Sequence, residues 1–143
     1  MGSADAARGA ALSAAELVRL LVEAGRESAV AIRHARPDEA WPEERIDGDT
    51  ASVIADAVVA NSAAVVLFGG DERLRPIFAC RALVAHARAE ALVPEFGDAL
   101  SRFDGAGRMI SICGPSRTAD IEKKLVIGVH GPREITIVLH GAA

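Results

Sequence analysis

The residues best suited to chemistry in this 143-residue chain gather in two short stretches. The first, Gly114-Pro115-Ser116-Arg117-Thr118, joins a predicted strand to a predicted helix at the carboxyl edge of a sheet. Free backbone N–H groups and the positive end of the helix dipole favour an anion there. Ser116 or Thr118 can donate a hydrogen bond, and Arg117 can grip a carboxylate or phosphate through two parallel bonds. Asp120 and Glu122 already use the field of the helix's first turn. The alternative is therefore a capped helix whose Arg117 pairs with an acid. The second stretch is His130-Gly131-Pro132-Arg133. His130 offers a proton or a metal-binding nitrogen, but no second His, Cys or carboxylate stands at ligand spacing. A structural turn or interface is the favoured account, with Gly131-Pro132 setting the bend and Arg133 pairing locally or across an interface. A ten-residue helix separates the loops by about 15 Å, so Arg117 and Arg133 are not expected to share a ligand.

Other residues carry weaker signals. Gly69-Gly70-Asp71 lacks the lysine of a phosphate loop and reads as a hairpin turn. Ser62 and Ser116 have no local histidine partner, and no spacing ties His34, His86 or His140 to either. Cys113, at the end of a buried strand, reads as a small core residue and Cys80 as the more exposed thiol. The charges of Asp71-Glu72-Arg73-Leu74-Arg75 read as a solvated, partly self-neutralised face. No metal site and no cofactor are expected.

Composition narrows the classes. One tryptophan, four phenylalanines, no tyrosine and a net charge of −4 supply neither a base-stacking surface nor a basic patch. Nucleic acid is not an expected partner. Two cysteines make no disulfide framework, which fits a reduced, cytoplasmic setting. No apolar run reaches about 18 residues, so no membrane span is expected. Much of the hydrophobic half of the chain is alanine, which adds little buried area.

These residues need a scaffold, and the chain predicts one domain over residues 1–143. Ser13-Ala14-Ala15-Glu16 is a capping box, and Leu17, Leu20, Leu21 and Ala24 form the stripe of a helix over about 13–25, with Gly25 as its stop. Ser28–His34 reads as a strand, followed by a polar loop through Asp49. Asp49 or Thr50 can cap a second helix facing inward through Val53, Ile54, Ala57 and Val58. Ala64–Phe68 is a continuous apolar run, the pattern of a buried strand. Leu74–Ala79 then returns as a hairpin arm, and Arg81–Ala87 is a further strand. Pro94 opens a third helix bearing Phe96, Ala99, Leu100 and Phe103. Strand Met109–Cys113, helix Thr118–Ile127 and strand Glu134–His140 complete a right-handed crossover. The alternation predicts an α/β domain, a three-layer α/β/α sandwich around a mostly parallel sheet.

Residues 111–134 carry a family likeness. Ser111-Ile112-Cys113-Gly114-Pro115-Ser116-Arg117-Thr118-Ala119-Asp120-Ile121-Glu122 resembles the S-G-P-S-R-T-A-D-I-E signature of the lactate-utilisation (LUD-domain) family. Leu125-Val126-Ile127-Gly128-Val129-His130-Gly131-Pro132-Arg133-Glu134 is similar to its L-V-L-G-V-H-G-P-R-E. The resemblance implies the NagB/RpiA/CoA-transferase-like fold group and a role in oxidising L-lactate to pyruvate beside iron–sulfur-containing subunits. Two cysteines fall short of the four thiolates a cluster takes, so any cluster belongs to such partners. Upstream the pattern departs. Asn61-Ser62-Ala63-Ala64 stands where relatives often read A-E-T-G-T, without their glutamate or glycine, and Pro76–Ala82 replaces S-L-L-P-P-V-H. The chain is also shorter than typical members, which predicts that an N-terminal region is missing.

Three readings follow. The first is an accessory protein of lactate utilisation that binds partner subunits or a small anion. A second is an enzyme of the CoA-transferase or sugar-phosphate-isomerase type, lined by Ser116 and Arg117 with a carboxylate such as Asp71 or Glu90. A third is a truncated remnant that folds as a homo-oligomer through an exposed apolar patch.

Overall fold

The computed structural model describes residues 12–114 and 132–141. Its first element obeys the capping box. Glu16 N–H donates to Ser13 Oγ at 3.2 Å, and Ser13 N–H donates back to the Glu16 carboxylate at 2.7 Å. Helix α1 (Ala14–Ser28) buries Val18, Leu21, Ala24 and Gly25 on one stripe. Gly25 does not end this helix; Ala29, in the left-handed region at φ 61°, does. Gly25 instead permits close approach, because a Cβ there would lie 2.7 Å from the Val30 carbonyl oxygen and 2.9 Å from Ile32 Cγ1. Replacing Ser13 with alanine leaves a helix N–H without its side-chain acceptor. We expect a loss of about 1 kcal/mol, read as a fall of about 3 °C in the thermal midpoint.

The chain continues through β1 (Val30–His34), β2 (Arg45–Asp47), β3 (Thr50–Ile54), β4 (Ala57–Val59), β5 (Ala64–Gly69), helix α2 (Asp71–Phe78), and β6 (Ala82–Arg88). A 3-10 turn (Ala89–Ala91), β7 (Leu92–Val93), helix α3 (Phe96–Leu100), β8 (Arg108–Ile112) and β9 (Glu134–His140) follow. The result is α/β, but with two mixed sheets rather than one. The larger has the order β1-β9-β6-β3-β2, with β1, β9, β6 and β3 parallel and β2 antiparallel to β3. The smaller has the order β7-β4-β5-β8. Two short passages carry the chain from the larger sheet into the smaller, β3 into β4 and β6 into β7. At the first, Ala55 N–H donates to the His86 carbonyl and Asp56 N–H to the Val66 carbonyl, at 2.9 and 3.0 Å. Strands β8 and β9 lie in different sheets, so the last strand–helix–strand unit is not a crossover within one sheet. The helix expected at 118–127 lies outside the described residues.

Two predicted elements change type. Val53, Ile54, Ala57 and Val58 fit a helix face, yet they lie on β3 and β4. Their β-branched side chains suit a pleated surface, and Ala51, Val53 and Ala55 alternate buried with half-buried neighbours. The expected hairpin arm at Leu74–Ala79 belongs to α2. Gly70 is its N-cap, Asp71 and Glu72 sit at the positive end, and Leu74 and Ile77 face inward. Pro76 lies inside α2 and removes one backbone donor from this short helix. Helix α3 starts at Phe96 with Glu95 as N-cap rather than at Pro94, and it exposes Phe96 and Leu100 while burying Ala99.

The main core joins both sheets. Leu83, Ala85, Ile135, Ile137 and Leu139 from the larger sheet pack in one cluster with Val58, Val65 and Leu67 from the smaller. Helices α1 and α2 cover it through Leu21, Ala24, Leu74 and Ile77. The cysteines reverse their expected places: Cys80 is buried and Cys113 exposed. Among the described residues, no helix is long and apolar enough to cross a membrane.

Candidate functional site

Strand alternation decides what faces away from the core. On β6 and β9, Leu83, Ala85, Ile135, Ile137 and Leu139 turn inward, so His86, Arg88, Val138 and His140 share the opposite face. Register places His86 beside Val138 and Arg88 beside His140, at the carboxyl ends of both strands. In sheets with parallel strands this is the edge where ligands settle.

Residues 35–44 run from the end of β1 to the start of β2 and strap this edge. Their anchors are side chains. Glu39 takes both ends of the Arg33 guanidinium, at 3.2 and 3.1 Å, and the Arg36 N–H at 3.1 Å. The Arg33 bonds, then the Arg36 amide, hold its carboxyl down to about 2, so it is ionised at neutral pH. Trp41 carries the Arg88 guanidinium 3.9 Å above its ring, and meets His140 edge-on with centroids 4.9 Å apart. At the far end, Ile54 N–H donates to Glu44 at 2.8 Å, and Arg73 also holds this carboxylate.

Between strap and strand ends lies a cleft of about 530 Å³, lined by Arg36, Glu39, Trp41, Arg88 and His140. Behind His140 stands His86, the one buried polar or charged side chain among the described residues. His86 Nδ1 and His140 Nε2 are 2.9 Å apart and share a hydrogen bond. Burial, then the neighbouring His140, pushes the His86 imidazole below its ordinary 6.5. Burial does the same to His140, with Glu39 opposing. Both shifts favour the neutral imidazole. Among the described residues Arg88 has no carboxylate partner; its charge rests on the Trp41 face. A guanidinium with no carboxylate partner among the described residues, beside an imidazole, can bind a small carboxylate and orient its neighbouring oxygen.

The structure treats the sequence candidates unevenly. Gly114 is buried, and a Cβ there would collide with the Ser28 carbonyl and lie 2.7 Å from Val30 Cγ2. It therefore sits by the amino end of β1, across the sheet from the cleft. Ser116, Arg117, Thr118, His130 and Gly131 lie outside the described residues. Pro132 is buried, and Arg133 is exposed, with its N–H donating to the Arg81 carbonyl at 2.7 Å. Asp71 pairs with Arg75 and Arg108 at 3.6 and 3.5 Å, and Glu90 is exposed on the 3-10 turn. Arg73 is not part of a solvated face; it is bonded to Glu44, Asp56, Ile54 and Phe68. Sequence reasoning missed the cleft, although one signal was present. Two predicted strands end in a histidine, at His34 and His140, and Arg88 directly follows a third, Arg81–Ala87, where an interior strand would otherwise end apolar.

Comparison with known proteins adds a second line of evidence. The family model described as LUD domain matches residues 26–140. The chain is 30% identical over 126 residues to "Lactate utilization protein C" of a Geobacillus species (strain WCH70), covering 69% of this chain and 52% of that protein. It is 36% identical over 110 residues to a protein of the same name from an Exiguobacterium species, covering 71% and 48%. The chain thus spans about half the length of the curated relatives it matches. A crystal structure of a DUF162 family protein from Deinococcus radiodurans shares the fold, with a TM-score of 0.60 at 12% identity, over 91% of this chain and 99% of that one.

Proposed function

Because the chain belongs to the LUD-domain family, we propose that it serves L-lactate utilisation as an accessory protein that holds a small carboxylate in the Arg88–His140 cleft. The observation that carries this reading is the convergence of Arg88, Trp41 and the His86–His140 pair at the carboxyl ends of parallel strands. The four parallel strands also support membership of the NagB/RpiA/CoA-transferase-like group. Oxidation of lactate to pyruvate releases two electrons, and the reading assigns their removal to iron–sulfur-containing partner subunits. A homo-oligomer and a second anion position at Gly114, Ser116, Arg117 and Thr118 belong to the same proposal.

Trp41 is the only tryptophan in the chain, so its emission reports on the cleft alone. Titration with L-lactate or pyruvate should change that emission saturably. Arg88→Ala should weaken binding about tenfold to a hundredfold, the worth of a charged hydrogen-bond pair. Arg117→Ala should leave the Trp41 response unchanged. The opposite pattern would move the anion to the signature loop, and no response to either acid would sink the carboxylate reading. The hydrogen-bonded histidines favour one alternative, an enzyme acting on a carboxylate, CoA or phosphate ligand. It requires turnover that disappears in His140→Gln while Trp41 still reports binding.

A further inference from the structure

Resting on the cleft as an anion site, we infer that His86 and His140 act as one proton-accepting unit, so that an anion enters the cleft together with one proton. The geometry supplies the reason. Two ring nitrogens 2.9 Å apart leave room for one hydrogen between them. The neutral pair therefore carries one shared hydrogen and one more on an outer nitrogen, either His86 Nε2 or His140 Nδ1. Adding a proton fills both outer nitrogens and gives the pair a single positive charge. A second added proton would set two N–H groups head to head, and the packed rings cannot part easily with His86 buried.

His140 lines the cleft while His86 does not. With Nε2 engaged, Nδ1 is the nitrogen that His140 has left for a ligand. In the neutral pair it is a donor in one tautomer and an acceptor in the other. In the charged pair it is always a donor, the form that a carboxylate oxygen binds best. The charges around the pair set when the proton arrives. Arg33 from β1, Arg36 from the strap and Arg88 from β6 oppose it. Glu39 from the strap favours it, although Arg33 neutralises that carboxylate at 3.1 Å. In the empty cleft the cations and burial win, and both rings stay below their ordinary value. An anion beside Arg88 reverses the balance, and the pair takes up its proton.

The sign follows from linkage. A ligand that raises the pair's affinity for a proton binds more tightly as pH falls, and the gain levels off once the empty protein is itself protonated. With L-lactate as probe and the full chain in solution, the dissociation constant from Trp41 emission should fall between about pH 8 and about pH 6. The steepest fall should approach about tenfold per pH unit. Calorimetry in two buffers of different ionisation heat should show uptake approaching one proton per lactate. In His140→Gln, whose amide can still meet His86, lactate should bind more weakly, and the remaining binding should show no pH dependence and no proton uptake. Ring nitrogen NMR of the unaltered chain gives a second readout: lactate should raise the pH at which the two rings together gain one proton. Binding of constant affinity with no proton exchange overturns this inference alone, as does uptake that persists in His140→Gln. Absence of lactate binding at every pH overturns the anion site and the inference with it.

Discussion

Ile137→Ala is expected to cost about 4 kcal/mol of unfolding free energy, near the upper part of the range for truncating a buried isoleucine. Ile137 lies on β9 between Ile32 of β1 and Ala85 of β6, with no exposed surface. The cost of such a cavity depends on how far its neighbours can collapse into it. Here many neighbours cannot, because Ala24, Ala51, Ala85 and Ala87 are alanines in the same cluster, and their methyl groups move only with the backbone. The core also joins both sheets, so the loss should be felt by the whole fold. Urea unfolding should show a lower midpoint with an unchanged slope, and Ile137→Val should lose only about 1 kcal/mol. A loss below about 2 kcal/mol for the alanine variant would mean that the cavity fills, against this account of an alanine-rich core that cannot collapse.

The range of the contacts involved explains where the sequence was legible. Continuous apolar β-branched runs announced β5 and β9, and the capping box announced α1, because each depends on contacts within a few residues. Val53, Ile54, Ala57 and Val58 misled because their spacing satisfies a helix stripe and an extended pair of strands equally well. What decided between them was pairing with β6 and β5, from residues far along the chain. Helix α2 was missed because Gly69-Gly70-Asp71 read as a hairpin turn, whereas Gly70 is the helix N-cap. The division into two sheets was hidden for a related reason: nothing local marks the two short passages where the backbone leaves one sheet for the other.

The cleft shows the same limit at the level of chemistry. The signature loop at 114–118 is contiguous and can be read at sight. Arg36, Trp41, His86, Arg88 and His140 come from three distant segments, and only strand register brings them together. His86 and His140 are separated by 54 positions and face each other because parallel β6 and β9 offset them by one diagonal step. The residue types were visible, but their meeting depended on which strands lie side by side.

Arg73 draws on this long-range assembly most heavily, and Arg73→Ala is expected to remove about 3 kcal/mol of stability. Its guanidinium donates to Glu44 Oε1 at 3.1 Å and to Asp56 Oδ2 at 3.0 Å, and also to the carbonyls of Ile54 and Phe68. One side chain thus ties α2 to the strap, to the passage from β3 into β4, and to the end of β5. About a quarter of it is exposed, 26%, which keeps the expected loss below that of a fully buried pair. Its removal leaves two carboxylates, Glu44 and Asp56, without their shared cation. Acid should reveal the mechanism. Burial raises the Glu44 carboxyl, but the Arg73 bonds and the Ile54 N–H outweigh it and hold the group below its ordinary 4.5. A depressed carboxyl stabilises the fold above its unfolded value, and that contribution is lost as pH falls through the folded one. The stability gap between the natural chain and Arg73→Ala should therefore be widest near neutrality and narrow as pH drops below 4.5. Arg73→Lys should fall between them, since an ammonium keeps the charge but not the planar fork that reaches Glu44, Asp56 and both carbonyls. Urea midpoints of the three proteins from neutral to acid pH would show it. A gap that stays constant on acidification would mean that Arg73 acts through packing of its aliphatic stem, not through its carboxylates.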